Sequence, residues 1–120
     1  MERRAENNWP TTHKAPPAPY YAVIFSSTLA DDAEGYSAMA ERMVELAREQ
    51  EGFIDVESAA RTSEGFGITV SYWRDLESIS RWKAQSEHAA AQRMGRDAFY
   101  RSYKLRIAKV EREYGFDRGE

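Results

Sequence analysis

Cysteine is absent from this 120-residue chain, which removes disulfides, thiolate nucleophiles, iron–sulfur clusters and every zinc site that needs a thiolate. Histidine is scarce: His13 and His88 are the only two, too few for a histidine-rich metal cluster within one chain. The longest apolar run is Tyr20–Phe25, far short of the roughly 20 residues a spanning helix needs. Met1-Glu2-Arg3-Arg4 is not followed by an apolar stretch, so no secretory signal is read and a cytoplasmic protein with no membrane contact is expected. Positive charge is not in excess either. Seventeen Lys and Arg stand against 20 Asp and Glu, a formal charge of −3. That balance gives no electrostatic reason to expect nucleic acid as a partner. No Gly-x-Ser-x-Gly and no phosphate loop occurs, and Gly65-Phe66-Gly67 lacks the third glycine of a dinucleotide fingerprint.

What is present suffices for one compact domain and is too little for two. The chain is 42% hydrophobic, 12% aromatic and 31% charged, a modest core under a heavily solvated surface, which excludes a disordered chain. Its composition breaks near residue 20: all four prolines (Pro10, Pro16, Pro17, Pro19) precede it. Proline fixes φ and removes donors, and the apolar content there is too low to offset the entropy of ordering. Residues 1–19 are therefore expected to form a flexible, proline-rich extension, and residues 20–120 the folded domain.

Within the domain, Tyr20–Ser27 is a continuous apolar and aromatic stretch that suits a central strand. Asp31-Asp32 and Glu34-Gly35 bring turn chemistry ahead of a helix, whose apolar positions Met39, Ala40, Met43, Val44, Leu46 and Ala47 recur at three-to-four spacing before Gly52 ends it. Phe53–Arg61 and Phe66–Trp73 read as two strands of a hairpin joined by Thr62-Ser63-Glu64-Gly65. Asp75 is a good N-cap for a second helix carrying Leu76, Ile79, Trp82 and Ser86 and running to about Met94, before Gly95. Asp97–Tyr103 reads as a short aromatic turn or helix, and Lys104–Glu113 as the last strand. The order β-α-β-β-α-β is that of a ferredoxin-like α+β sandwich.

That plan leaves one sheet face bare. Thr69, Ser71, Asp55 and Glu57 are expected on it, and alternation places Trp73 on the same side as Thr69 and Ser71. Exposed aromatic surface of this kind is avoided by monomers, so a homodimer is expected.

Four segments resemble the antibiotic biosynthesis monooxygenase-like family of dimeric α+β barrels: Tyr20–Ser27, Gln50-Glu51-Gly52-Phe53, Ile68–Trp73, and Trp82 through His88 to Ala91-Gln92. Arg106–Arg112 is similar to the closing strand of a monooxygenase-like branch. The resemblance spans about Tyr20–Tyr114. It implies a barrel-like dimer with a small-molecule pocket in each subunit between sheet and helices. It also implies a cofactor-independent monooxygenase acting on a small aromatic or quinol-type substrate, with no metal. The alternatives are a non-catalytic small-molecule-binding or structural dimer of the same fold, or a haem-binding or haem-degrading oxygenase.

The haem-degrading branch of that family carries an asparagine on the first strand, where this chain offers Ser26 and Ser27. Trp82 and His88 lie six positions apart, which turns them about 120° from one another around a helix. His88 is the candidate general base, since imidazole titrates near neutrality; a hydrogen-bonded residue on a polar stripe is the plainer reading. Trp82, Trp73 and Tyr72 are candidates for shaping a substrate cavity, with core packing as their alternative. Arg96 is a candidate anion partner, because guanidinium presents fixed paired donors, or else a solvated arginine.

Overall fold

The structure, a computed structural model, describes residues 18–31, 33, 35–92 (of 88–92 the helix alone) and 99–119. The proline-rich extension up to residue 17 lies outside them. Six elements follow in order: β1 (Tyr20–Leu29), α1 (Tyr36–Arg48), β2 (Phe53–Ser58), β3 (Phe66–Trp73), α2 (Leu76–Gln92) and β4 (Tyr100–Val110). The strands form one antiparallel sheet in the order β2-β3-β1-β4, and both helices lie on one side of it. This is the ferredoxin-like arrangement expected from the sequence.

Local chemistry explains the boundaries. Gly35, at φ 87°, takes the left-handed conformation that turns the chain into α1. The Asp75 carboxylate accepts the Ser78 backbone N–H at 2.8 Å, capping α2 as its position predicts; this bond is the chief reason the carboxyl is held below its ordinary range. The α1 stripe buries Met39, Leu46 and Ala47 against the sheet. The central core is Val23, Ala47, Trp73 and Ile79, with Tyr21, Phe53, Trp82 and Leu105 packed around it.

Three expectations need correction. Strand β2 stops at Ser58 rather than Arg61, because Arg61 leaves the strand and turns its guanidinium back beneath the sheet's end. The final strand starts at Tyr100, so Tyr100–Tyr103 are strand rather than turn or helix, pairing with Leu29 through Ser27 on β1. The third correction concerns which face is bare. Trp73 is fully buried and, with Ser71, Thr69 and Gly67, faces the helices. The uncovered side instead carries Phe66 and Ile68, 43% and 44% exposed, together with Val70 and Tyr72. Asp55 and Glu57 do lie on that open side, paired with Tyr72 and Val70. Small polar residues at alternate positions of β3 suggest a wetted face, but here they serve to make room under the helices.

Gly52 joins the start of β2 to the first turn of α2. Its carbonyl accepts the Arg74 N–H at 2.7 Å, and a Cβ built on it would stand 2.1 Å from Ser78 Oγ and 2.7 Å from Ser78 Cβ. Gly52→Ala is therefore expected to lower stability by about 1–3 kcal/mol through overpacking, measured by urea denaturation. Adding Ser78→Gly should recover part of the loss; an unchanged midpoint for Gly52→Ala would contradict this packing.

Candidate functional site

The space left beneath the helices is a cavity of about 140 Å³. An apolar cavity of about 150 Å³ elsewhere is known to hold a benzene ring, so the volume suits one substituted aromatic ring. Val23, Phe25 and Leu105 line it from the sheet, Met39, Met43 and Val44 from α1, and Trp82 from α2, with Phe99 and Tyr100 at one side. Its polar lining is sparse. Thr69 and Ser71 come from β3, Lys83 and Ser86 from α2, and Tyr36 from the first turn of α1. Several of these groups are already engaged. Ser71 Oγ accepts the Trp73 indole N–H at 2.8 Å, the Ser86 hydroxyl donates to the Lys83 carbonyl at 3.0 Å, and Lys83 Nζ pairs with Glu87 at 2.7 Å. Among the described residues no carboxylate lines the cavity.

Trp82 forms part of the cavity wall. Its indole N–H donates to the Met43 carbonyl at 3.1 Å, tying α2 to α1, and its ring lies 5.3 Å from that of Trp73. Trp73 stands behind this wall rather than on it. Phe53 meets its ring edge-on at 5.5 Å, so Trp73 anchors the core and fixes Ser71 and Trp82.

Tyr72 is on the other side of the sheet. Its hydroxyl donates to Glu57 at 2.7 Å, and burial, then the Glu57 bond, push its pKa up to about 12. Neighbouring Tyr20, edge-on to Tyr72 at 6.0 Å, donates to Glu113 and is likewise raised, chiefly by burial. This pair of phenols belongs to the open face, so Tyr72 does not line the cavity. His88 lies on α2, six positions beyond Trp82, and Arg96 is outside the described residues.

Neither serine of β1, the strand on which the haem-degrading branch carries its asparagine, lines the cavity. Ser26 belongs to the open side, and Ser27, 2% exposed, accepts a bond from Arg61 at 2.9 Å.

Tyr36, which lines the cavity, and Arg61, which bonds to it, are residues of the candidate site that sequence reasoning did not single out. Arg61 lies between β2 and β3, and its guanidinium reaches the helix side of the sheet. There it donates to the carbonyls of Ser27 at 3.1 Å and Gly65 at 2.8 Å, and to Tyr36 Oη at 2.8 Å. The signal for it was Gly67, a glycine inside a strand, which marks a close approach: a Cβ there would fall 2.9 Å from Arg61 Cγ.

A model of the antibiotic biosynthesis monooxygenase family matches residues 19–94. YqjZ, an uncharacterised protein of Bacillus subtilis, is 51% identical over 100 residues, spanning 83% of this chain and 87% of its own length. A jasmonate monooxygenase of Pyricularia oryzae is 34% identical over 61 residues, 50% of this chain but only 28% of that protein. Among solved structures, SnoaB, a cofactor-independent oxygenase from Streptomyces nogalater, superposes with a TM-score of 0.63 at 16% identity over 80% of this chain and 97% of its own. PA3566 from Pseudomonas aeruginosa gives 0.61 at 20% identity, covering 82% and 99%. At such identities the shared property is the fold. The family-model match and the close relative together establish that the chain belongs to the antibiotic biosynthesis monooxygenase family.

Proposed function

We propose that the protein is a cofactor-independent monooxygenase acting on a small aromatic or quinol-type substrate. The observation that carries this reading is the ring-sized apolar cavity between sheet and helices, with aromatic walls and few polar groups, in a chain of this family. Such a site suits a flat, largely neutral guest. The chemistry asks for a substrate whose carbanion can pass an electron to oxygen. In the simplest balance a ring CH₂ becomes a carbonyl; one oxygen atom enters and the other leaves as water with the two hydrogens. The protein contributes exclusion of water, a base to take the first proton and a partner for the resulting anion. His88 is the proposed base and Arg96 a proposed anion partner, with Trp82 shaping the cavity directly and Trp73 supporting it from behind.

One observation favours a second reading, a binding protein without turnover: among the described residues neither a carboxylate nor a histidine lines the cavity, and its one lysine, Lys83, is paired with Glu87. The two separate on oxygen uptake. With methylhydroquinone, a single ring whose keto tautomer carries the ring CH₂, and no added metal or cofactor, one O₂ is expected to be consumed per hydroxyquinone formed, and His88→Ala should slow turnover by about a hundredfold or more. Saturable binding without oxygen uptake supports the binding reading, and full turnover by the variant removes His88 from its role.

The open sheet face supports a homodimer as the working form. Its middle is apolar, with Ile24, Ile68 and Val70. Asp55 and Glu57 lie on the β2 side, and Lys104 and Arg106 on the β4 side. A two-fold axis along the strands lays β4 of one copy over β2 of its partner, so basic residues meet acidic ones around an apolar centre. Sedimentation at low salt should give twice the chain mass. Lys104→Glu with Arg106→Glu should weaken the dimer about tenfold or more, and adding Asp55→Lys with Glu57→Lys should restore it. A monomer throughout would count against this arrangement.

A further inference from the structure

We propose that Tyr36, backed by Arg61, is the hydrogen-bond donor that holds an enolate or phenolate oxygen of the guest at one end of the cavity. The proposal rests on the small-molecule reading above and gives that site an orientation and a preferred charge state.

Hydrogen-bond direction comes first. Arg61 Nη2 donates to Tyr36 Oη at 2.8 Å. A phenol accepting from a cation keeps its own proton to give, and among the described residues nothing accepts it. Position comes second. Tyr36 lines the cavity, and its ring is held edge-on to Phe99 at 6.3 Å and to Tyr100 at 5.8 Å. Arg61 stacks over that ring, its Cζ 5.0 Å from the centroid, so ring and hydroxyl are both fixed.

Charge comes third. The acceptors around the guanidinium are two carbonyls and the hydroxyls of Ser27 and Tyr36, all neutral, and no carboxylate pairs with it among the described residues. A part-buried cation satisfied only by neutral dipoles leaves a positive potential where it sits. Among the described residues the other cation at the cavity, Lys83 on α2, is compensated by Glu87. The cavity is thus, among the described residues, electrostatically one-sided, with its positive end at Tyr36. A donor fixed before the guest arrives and aimed where negative charge develops stabilises that charge without reorganisation. Tyr36 is the residue that touches the guest; Arg61 is a positioning residue acting through it.

The test uses 4-nitrophenol, a single ring whose anion is yellow and whose neutral form is colourless, titrated with pH on the full chain. In the wild-type protein the bound probe should ionise about tenfold more readily than in Tyr36→Phe, the scale expected for a hydrogen bond to a charged oxygen. Arg61→Gln should lose much of the same advantage. Tyr36→Phe keeps the ring packing, so it remains informative even if Arg61→Gln does not fold. Equal ionisation of the probe bound to wild type and Tyr36→Phe would overturn the proposal while leaving the small-molecule site standing. Preference of the wild type for the neutral probe would overturn it as well. No saturable binding to the wild type would overturn both this proposal and the reading beneath it.

Discussion

Side-chain size alternates along β3, and the rest of the molecule is arranged around that alternation. Gly67, Thr69 and Ser71 face the helices, while Phe66, Ile68, Val70 and Tyr72 face away. Small residues under the helical layer leave space that the aromatic and aliphatic side chains of β1, α1 and α2 enclose without filling. Large residues on the other side make an apolar surface that the fold's own helices do not cover. One strand therefore produces both a hollow beneath the helices and an apolar face on the opposite side of the sheet. Trp73 limits the hollow, closing the pattern at the end of the strand with a buried ring whose N–H is satisfied by Ser71.

Much of this was legible in the sequence. The helix stripes, the Asp75 cap and the β-α-β-β-α-β order follow from three-to-four spacing, from a carboxylate at a helix start and from apolar runs. Alternation also shows which residues of β3 travel together. It does not show which set faces inward, and polarity points the wrong way. Ser71 and Thr69 look like surface residues until Trp73, on the same side, is taken as an anchor rather than as an exception. Burial of a large indole decides the matter, since leaving it in water forfeits far more than setting two hydroxyls beside a cavity.

The site was legible in part for the same reason. Trp82 belongs to a helical stripe, and a stripe declares its direction. Tyr72 was drawn toward the site by its neighbour Trp73, although adjacent strand residues point to opposite faces. Arg61 stayed hidden because a charged residue beside a turn is ordinarily a solvated one. Its place depends on four acceptors from three separate parts of the chain, a convergence that local pattern does not encode. Gly67 was the one local trace of it.

A chamber hollowed by residue size on a single strand can be resized without disturbing the helices above it. Exchange of Thr69 for a smaller or larger residue changes what the chamber admits, while the α1 and α2 stripes and the Trp73–Trp82 contact keep their own partners; Ser71 is tied to the Trp73 N–H and is not exchanged so freely. Divergence among relatives that share this scaffold at low identity can thus proceed by carving the floor, with walls and roof left in place.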